Sequence, residues 1–96
     1  MKKHTIYKHS TLFNVADLGT NDINNFFIDL VNNGNWEEQT FYAFDKYANK
    51  KKIMLDIGGW IGTTCLYCSD KFKEVYVFEC DPKALKRLKL NIEANP

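Results

Sequence analysis

The chain has 96 residues, 45% hydrophobic and 26% charged, proportions that fit a small globular domain or part of a larger one and exclude a disordered tail. Thirteen lysines and arginines against twelve aspartates and glutamates leave +1, so no electrostatic field advertises a nucleic acid. No apolar stretch is long enough to span a membrane, and no apolar segment follows Lys2, Lys3 and His4 as in a secretory signal. Three cysteines are an odd number and too few for a disulfide framework, so a reduced, cytoplasmic protein is expected.

Residues 4–15 lean towards β structure through Ile6, Tyr7, Leu12, Phe13 and Val15, with His9-Ser10 as a turn between short strands. Ile23, Phe26, Phe27, Leu30 and Val31 then recur at helical spacing, with Asn21 or Asp22 as cap and Asn32-Asn33-Gly34 as stop. A second helix is expected from Asn35, where Asn35 and Glu38 are spaced as a capping box and Phe41, Phe44 and Ala48 mark the buried face. Lys50, Lys51 and Lys52 read as a solvated connector closing that helix.

From residue 53 the pattern changes. Ile53-Met54-Leu55-Asp56-Ile57 is a continuous apolar run ending near an acid, the look of a strand buried on both faces. Gly58 to Gly62 form a tight turn, and Thr63 to Phe72 read as a helix. Val75 to Glu79 repeat the buried-strand pattern and again end in an acid. Asp81-Pro82 starts a last helix, with an Asp cap and Pro at the first helical position, continued by Leu85, Leu88 and Ile92. Strand, helix, strand, helix predicts an α/β fold with parallel strands. Two parallel strands cannot cover both their faces, so the chain is expected to be the front part of a longer domain, residues 1–34 an extension and 35–96 an incomplete Rossmann-like half.

The turn lies where an open α/β sheet binds its ligand, at the carboxyl ends of the strands. Gly58 and Gly59 would let the backbone turn and approach a ligand, Gly62 would let the next helix pack close to the strand, and free N–H groups at that helix start can receive a carboxylate or phosphate. Glu79, 17 residues after Gly62, can accept both hydroxyls of a ribose. A dinucleotide fold wants Gly-x-Gly-x-x-Gly, but here Ile57 precedes Gly58 and Trp60 stands where a Gly would. An acid leading Asp-x-Gly-x-x-x-Gly favours S-adenosylmethionine over NAD, with Asp56 organising the turn or engaging the methionine ammonium through water.

These residues resemble a known family. Trp36-Glu37 with Thr40-Phe41, then Leu55-Asp56-Ile57-Gly58-Gly59-Trp60-Ile61-Gly62-Thr63-Thr64, look like FkbM-type S-adenosylmethionine-dependent methyltransferases. Val75-Tyr76-Val77-Phe78-Glu79-Cys80-Asp81-Pro82, with Leu88 and Asn91 to Pro96, is similar to the same family. The resemblance covers about residues 35–96. It implies a partial class I methyltransferase fold and methyl transfer to a hydroxyl of a sugar or small molecule. It also implies that Asp56, Gly58 and Gly62 shape the methionine pocket while Glu79 holds the ribose. Gly59 stands where relatives usually carry Ala or another small residue, Trp60 where many carry Asn, and Cys80 where Pro or Asn is more usual. The acid that marks the adenine and the base that would take the acceptor's proton are expected beyond residue 96, so the catalytic residues stay unassigned.

Glu37 and Thr40 precede the first buried strand and can face the cofactor's methionine end, or Glu37 can simply stabilise a helix start. Trp60 is expected to pack under the N-terminal helices. Cys65 and Cys68 form a Cys-x-x-Cys on a predicted helix without a second pair, and read as structural rather than zinc or redox cysteines. His4 and His9, beside Lys2, Lys3 and Lys8, read as exposed and inert. Two rival readings stay open: an NAD-type oxidoreductase or epimerase, and a non-catalytic methyltransferase-like scaffold. An open sheet edge also invites pairing with a second copy.

Overall fold

A computed structural model describes residues 1–17, 19 and 37–96. It is a small α/β structure with two two-stranded sheets, one antiparallel and one parallel. The expected stripe from Ile23 to Val31, its caps, Asn35 and Trp36 lie outside the described residues.

Strands β1 (Lys3–Lys8) and β2 (Thr11–Ala16) form the hairpin that the β-rich start predicts. Its loop is His9-Ser10, both with positive φ (45° and 67°), the left-handed pair of a type I′ turn whose twist matches that of the flanking strands. Alternation puts Ile6, Phe13 and Val15 on one face, where all three are buried.

Helix α1 (Glu38–Tyr47) starts later than the capping-box spacing implies. Its N-cap is Glu37, in a left-handed conformation with no side-chain cap; the Glu37 carbonyl accepts from the Thr40 and Phe41 N–H groups. Phe41 is its buried anchor. The three lysines are not a connector, because strand β3 (Asn49–Ile57) begins before them. Its regular pairing starts only at Ile53, after an irregularity between Asn49 and Ile53 that leaves all three lysines exposed.

The helix predicted over Thr63 to Phe72 is shorter than its apolar spacing suggests. Helix α2 spans Thr63–Cys68, and Phe72 opens strand β4 (Phe72–Phe78). Strands β3 and β4 are parallel, in the register Ile53–Glu74, Leu55–Tyr76 and Ile57–Phe78. Helix α3 (Pro82–Glu93) starts as expected: the Asp81 carboxylate accepts from the Ala84 N–H at 3.1 Å and Pro82 occupies the first turn.

Helix α2 touches β4 on one side and β2 on the other, and α3 packs against β2. Helices therefore lie between the hairpin and the parallel pair, and one core joins Ile6, Phe13 and Val15 to Phe41, Ile61, Leu66, Tyr67 and Leu88. The strands are not buried on both faces. Met54, Val75 and Val77 pack against the core, whereas Ile53, Leu55, Ile57, Tyr76 and Phe78 are about half or more exposed on the other side. Their apolar character matches a doubly covered strand, but no described element covers that face.

Two asparagines fasten the hairpin. Asn91, fully buried, accepts from the Ala16 N–H at 2.9 Å and donates to the Ile61 carbonyl at 2.8 Å. Asn95 accepts from the Asn14 N–H and donates to the Asn14 carbonyl, both at 2.7 Å. Asn91→Ala leaves buried backbone groups of Ala16 and Ile61 without this partner, and a loss of about 3 kcal/mol of unfolding free energy is expected. Asn95→Ala, at a half-buried position, should cost about half as much, both read from urea unfolding at constant m value.

Candidate functional site

The turn between β3 and α2 is built from backbone outward. The Gly58 and Gly59 N–H groups both donate to the Phe78 carbonyl, at 2.8 and 3.0 Å, tying the turn to the end of β4. The Gly62 N–H closes back on the Gly59 carbonyl at 3.0 Å. Glu79 accepts from the Trp60 N–H through Oε1 and from the Asp81 N–H through Oε2, each at 2.8 Å. One carboxylate thus braces the turn and the entry to α3 at once.

The glycines divide the work differently from what the sequence implies. Gly58 has φ +78° and open space where a side chain would begin, so it fits both the turn and a close approach from outside. Gly59 is packed on its Cβ side: a Cβ there would lie 2.2 Å from Val77 Cγ2 and 3.3 Å from Asp56 Oδ2, so its bare backbone lets the turn settle onto β4. Gly62, φ +101°, caps α2, and its Cβ would meet Leu88 of α3 at 3.0 Å; the close packing it permits is against a helix rather than a strand. Trp60 adopts φ 54°, a conformation that costs a non-glycine residue about 1 kcal/mol, and its side chain is half-buried against the core.

Asp56 and Glu79 stand in different environments. Asp56 is buried, and its Oδ2 has no hydrogen-bond partner among the described residues. Burial raises its pKa, partly offset by a hydrogen bond to the Cys65 backbone, and the nearby Glu79 charge pushes the same way as burial. Glu79 is half-buried, with both oxygens engaged. Glu37 and Thr40 are exposed at the start of α1, where no hydrogen bond or ion pair joins their side chains to the turn among the described contacts. A cleft of about 220 Å³ lies between α2, β4 and α3, lined by Cys65, Leu66, Val75, Val77 and Ile92, and includes none of the turn residues.

His4 is exposed, but His9 is not. Its ring stacks on Tyr42 (centroids 4.4 Å) and meets Phe41 and Tyr67 edge-on, with Nε2 at 2.7 Å from Glu38 and Nδ1 at 3.5 Å from Asp45. Lys8 pairs with the same Glu38 and is nearly buried, which lowers its pKa through desolvation. Asp45 also accepts from the Tyr67 hydroxyl at 2.5 Å. This cluster joins the hairpin turn to α1 and α2. Its sequence signal was slight, because the two acids that meet His9, Glu38 and Asp45, lie 29 and 36 residues downstream.

Cys65 and Cys68 are buried, and desolvation pushes both thiols up to about 12; Cys80 is exposed. No group of three potential metal ligands occurs among the described residues, and no described helix is long and apolar enough to cross a membrane. No protein-family model, curated protein or solved structure gives a significant match to the chain.

Two outcomes test this geometry. Gly59→Ala should destabilise the fold by about 2 kcal/mol through overpacking, and Val77→Ala should absorb part of that loss, so the double variant falls short of additivity by about 1 kcal/mol. Iodoacetamide at mildly alkaline pH should label Cys80 alone in the native chain and all three cysteines after unfolding, read by mass spectrometry.

Proposed function

We propose that the chain binds S-adenosylmethionine at the carboxyl ends of β3 and β4, as the cofactor-binding part of a cytoplasmic methyltransferase acting on a sugar or small-molecule hydroxyl. The observation that carries this reading is Asp56 Oδ2, a buried carboxylate oxygen beside the glycine turn with no partner among the described residues. A buried unpaired carboxylate oxygen is costly, and a ligand bearing an N–H cation answers it better than a neutral one. The ammonium of a methionine moiety is such a group.

The remaining residues fit the same ligand. A carboxylate offers about four acceptor positions, so Glu79 keeps acceptor capacity for a ribose diol after receiving two backbone N–H groups. The open side of Gly58 gives an adenosyl group room against the backbone. The bound sulfonium supplies an activated methyl group; the protein's part is to fix its direction relative to an acceptor. Glu37 and Thr40 are retained as rim residues of the methionine end, on the strength of the resemblance alone. No residue here is assigned as the base.

Calorimetric titration of the chain with S-adenosylhomocysteine, against NAD as control, tests the reading. Binding of the former alone is expected, and binding of NAD alone would move the chain to the oxidoreductase reading. Asp56→Asn should weaken S-adenosylhomocysteine binding by about tenfold or more, as loss of a charge-assisted hydrogen bond would. The same substitution should stabilise the empty fold at neutral pH. An acid whose folded pKa is raised holds its proton more tightly in the native state, so stability falls as pH rises from the unfolded towards the folded pKa. Unfolding curves across acidic and neutral pH should therefore show a decline in the wild type that is reduced in Asp56→Asn. Equal slopes in the two proteins would contradict it.

A further inference from the structure

We propose that Asp56 keeps its proton while the site is empty and gives it up to solvent when an ammonium-bearing ligand docks, so that binding is coupled to proton release and selects for the amine. The proposal rests on the cofactor reading and adds its regulation by pH. Asp56 is 9% exposed, and its Oδ2 has no hydrogen-bond partner among the described residues. Gly59 and Val77 close over it: a Cβ on Gly59 would stand 3.3 Å from Oδ2 and 2.2 Å from Val77 Cγ2. An ionised carboxylate so placed has lost water on that side and gained no donor in exchange. A neutral carboxyl group avoids most of that cost.

The groups around Asp56 point the same way. From the end of β4, Glu79 sets a negative charge near it. From α2 come the thiols of Cys65 and Cys68, which burial pushes up to about 12 and so keeps neutral. Helix α3 meets the turn through Leu88 and the Asn91 amide, neither of them charged. No ion pair reaches Asp56 among the described residues. The Cys65 backbone hydrogen bond favours the ionised form, but burial outweighs it and holds the carboxyl group above the usual aspartate range. A ligand ammonium supplies the missing cation. The neutral carboxyl group and the ammonium become a carboxylate–ammonium pair, the carboxyl proton passes to buffer, and the ammonium keeps all its own. The loaded site then holds fewer protons than the empty site and free ligand together. By linkage, affinity rises with pH until Asp56 is already ionised in the empty chain, and then levels off. S-adenosylhomocysteine carries this ammonium; 5′-methylthioadenosine offers the same adenosyl thioether without it.

Calorimetric titration of the chain with both compounds tests the proposal, from mildly acidic to neutral pH and in buffers of different ionisation enthalpy. S-adenosylhomocysteine is expected to release close to a full proton at the acidic end, with affinity climbing by at most about tenfold per pH unit. At neutral pH 5′-methylthioadenosine should bind more weakly, and at no pH should it exchange a proton. In Asp56→Asn, which keeps the shape and removes the titrating group, S-adenosylhomocysteine should bind with a flat pH profile and no proton release. In the empty chain, the NMR shift of the Asp56 carboxyl carbon should report ionisation at a higher pH than in the unfolded chain. Three results overturn the proposal and leave the cofactor reading standing: S-adenosylhomocysteine binding without proton release or with release that persists in Asp56→Asn, equal affinity of the two compounds at neutral pH, or Asp56 ionising as in the unfolded chain. Absence of binding by either compound across the range overturns both.

Discussion

The turn from Gly58 to Gly62 is held from several directions, and the site and much of the packing depend on that restraint. The Phe78 carbonyl accepts from two of its N–H groups, Glu79 from a third, and the Ile61 carbonyl accepts from the Asn91 side-chain amide. A chain reversal that carries a tryptophan at φ 54° would not hold its shape by local preference. It does so because strand end, carboxylate and helix each fix one part of it. Pre-organisation of this kind lowers the ordering cost that a ligand would otherwise meet on binding the turn.

Asn91 extends the restraint to the far side of the molecule. The edge of β2 meets a helix, and alternate strand residues Asn14 and Ala16 are served by Asn95 and Asn91, four apart on α3. The match is geometric: two strand residues advance about 6.7 Å and four helical residues about 6 Å. An asparagine ladder can therefore cap a strand edge that would otherwise present unpaired backbone groups. The same ladder, through Ile61, couples the hairpin to the glycine turn.

The parts legible in the sequence were those with local causes. Asp81-Pro82 started a helix, His9-Ser10 turned a hairpin, and the apolar runs Ile53 to Ile57 and Val75 to Phe78 marked strands. Misread features depended on distant partners. Phe72 fits a helical stripe but is claimed by pairing with Asn49, so α2 ends at Cys68. His9 looked solvated among lysines, yet Glu38, Asp45 and Tyr42 enclose it. Gly59 and Gly62 pointed to the correct turn, but the reason for each lies in Val77 and Leu88, which no spacing rule names. Asp56 and Glu79 were singled out as acids at strand ends; their opposite surroundings, one buried with an oxygen unpartnered among the described residues and one tied to two N–H groups, appear only in three dimensions.

That contrast gives the two carboxylates distinct tasks in the proposed site. Glu79 is first a brace and only then an acceptor for a ligand, while Asp56 is a buried carboxyl group whose Oδ2 would receive the ligand's donor. The claim that the turn is pre-formed can be measured without any ligand, by amide hydrogen exchange followed residue by residue in NMR spectra. The account predicts that the Gly58, Gly59 and Trp60 amides exchange only through large-scale unfolding, as slowly as the amides of the parallel strands. Exchange of these three at the rates of an open surface loop would contradict it.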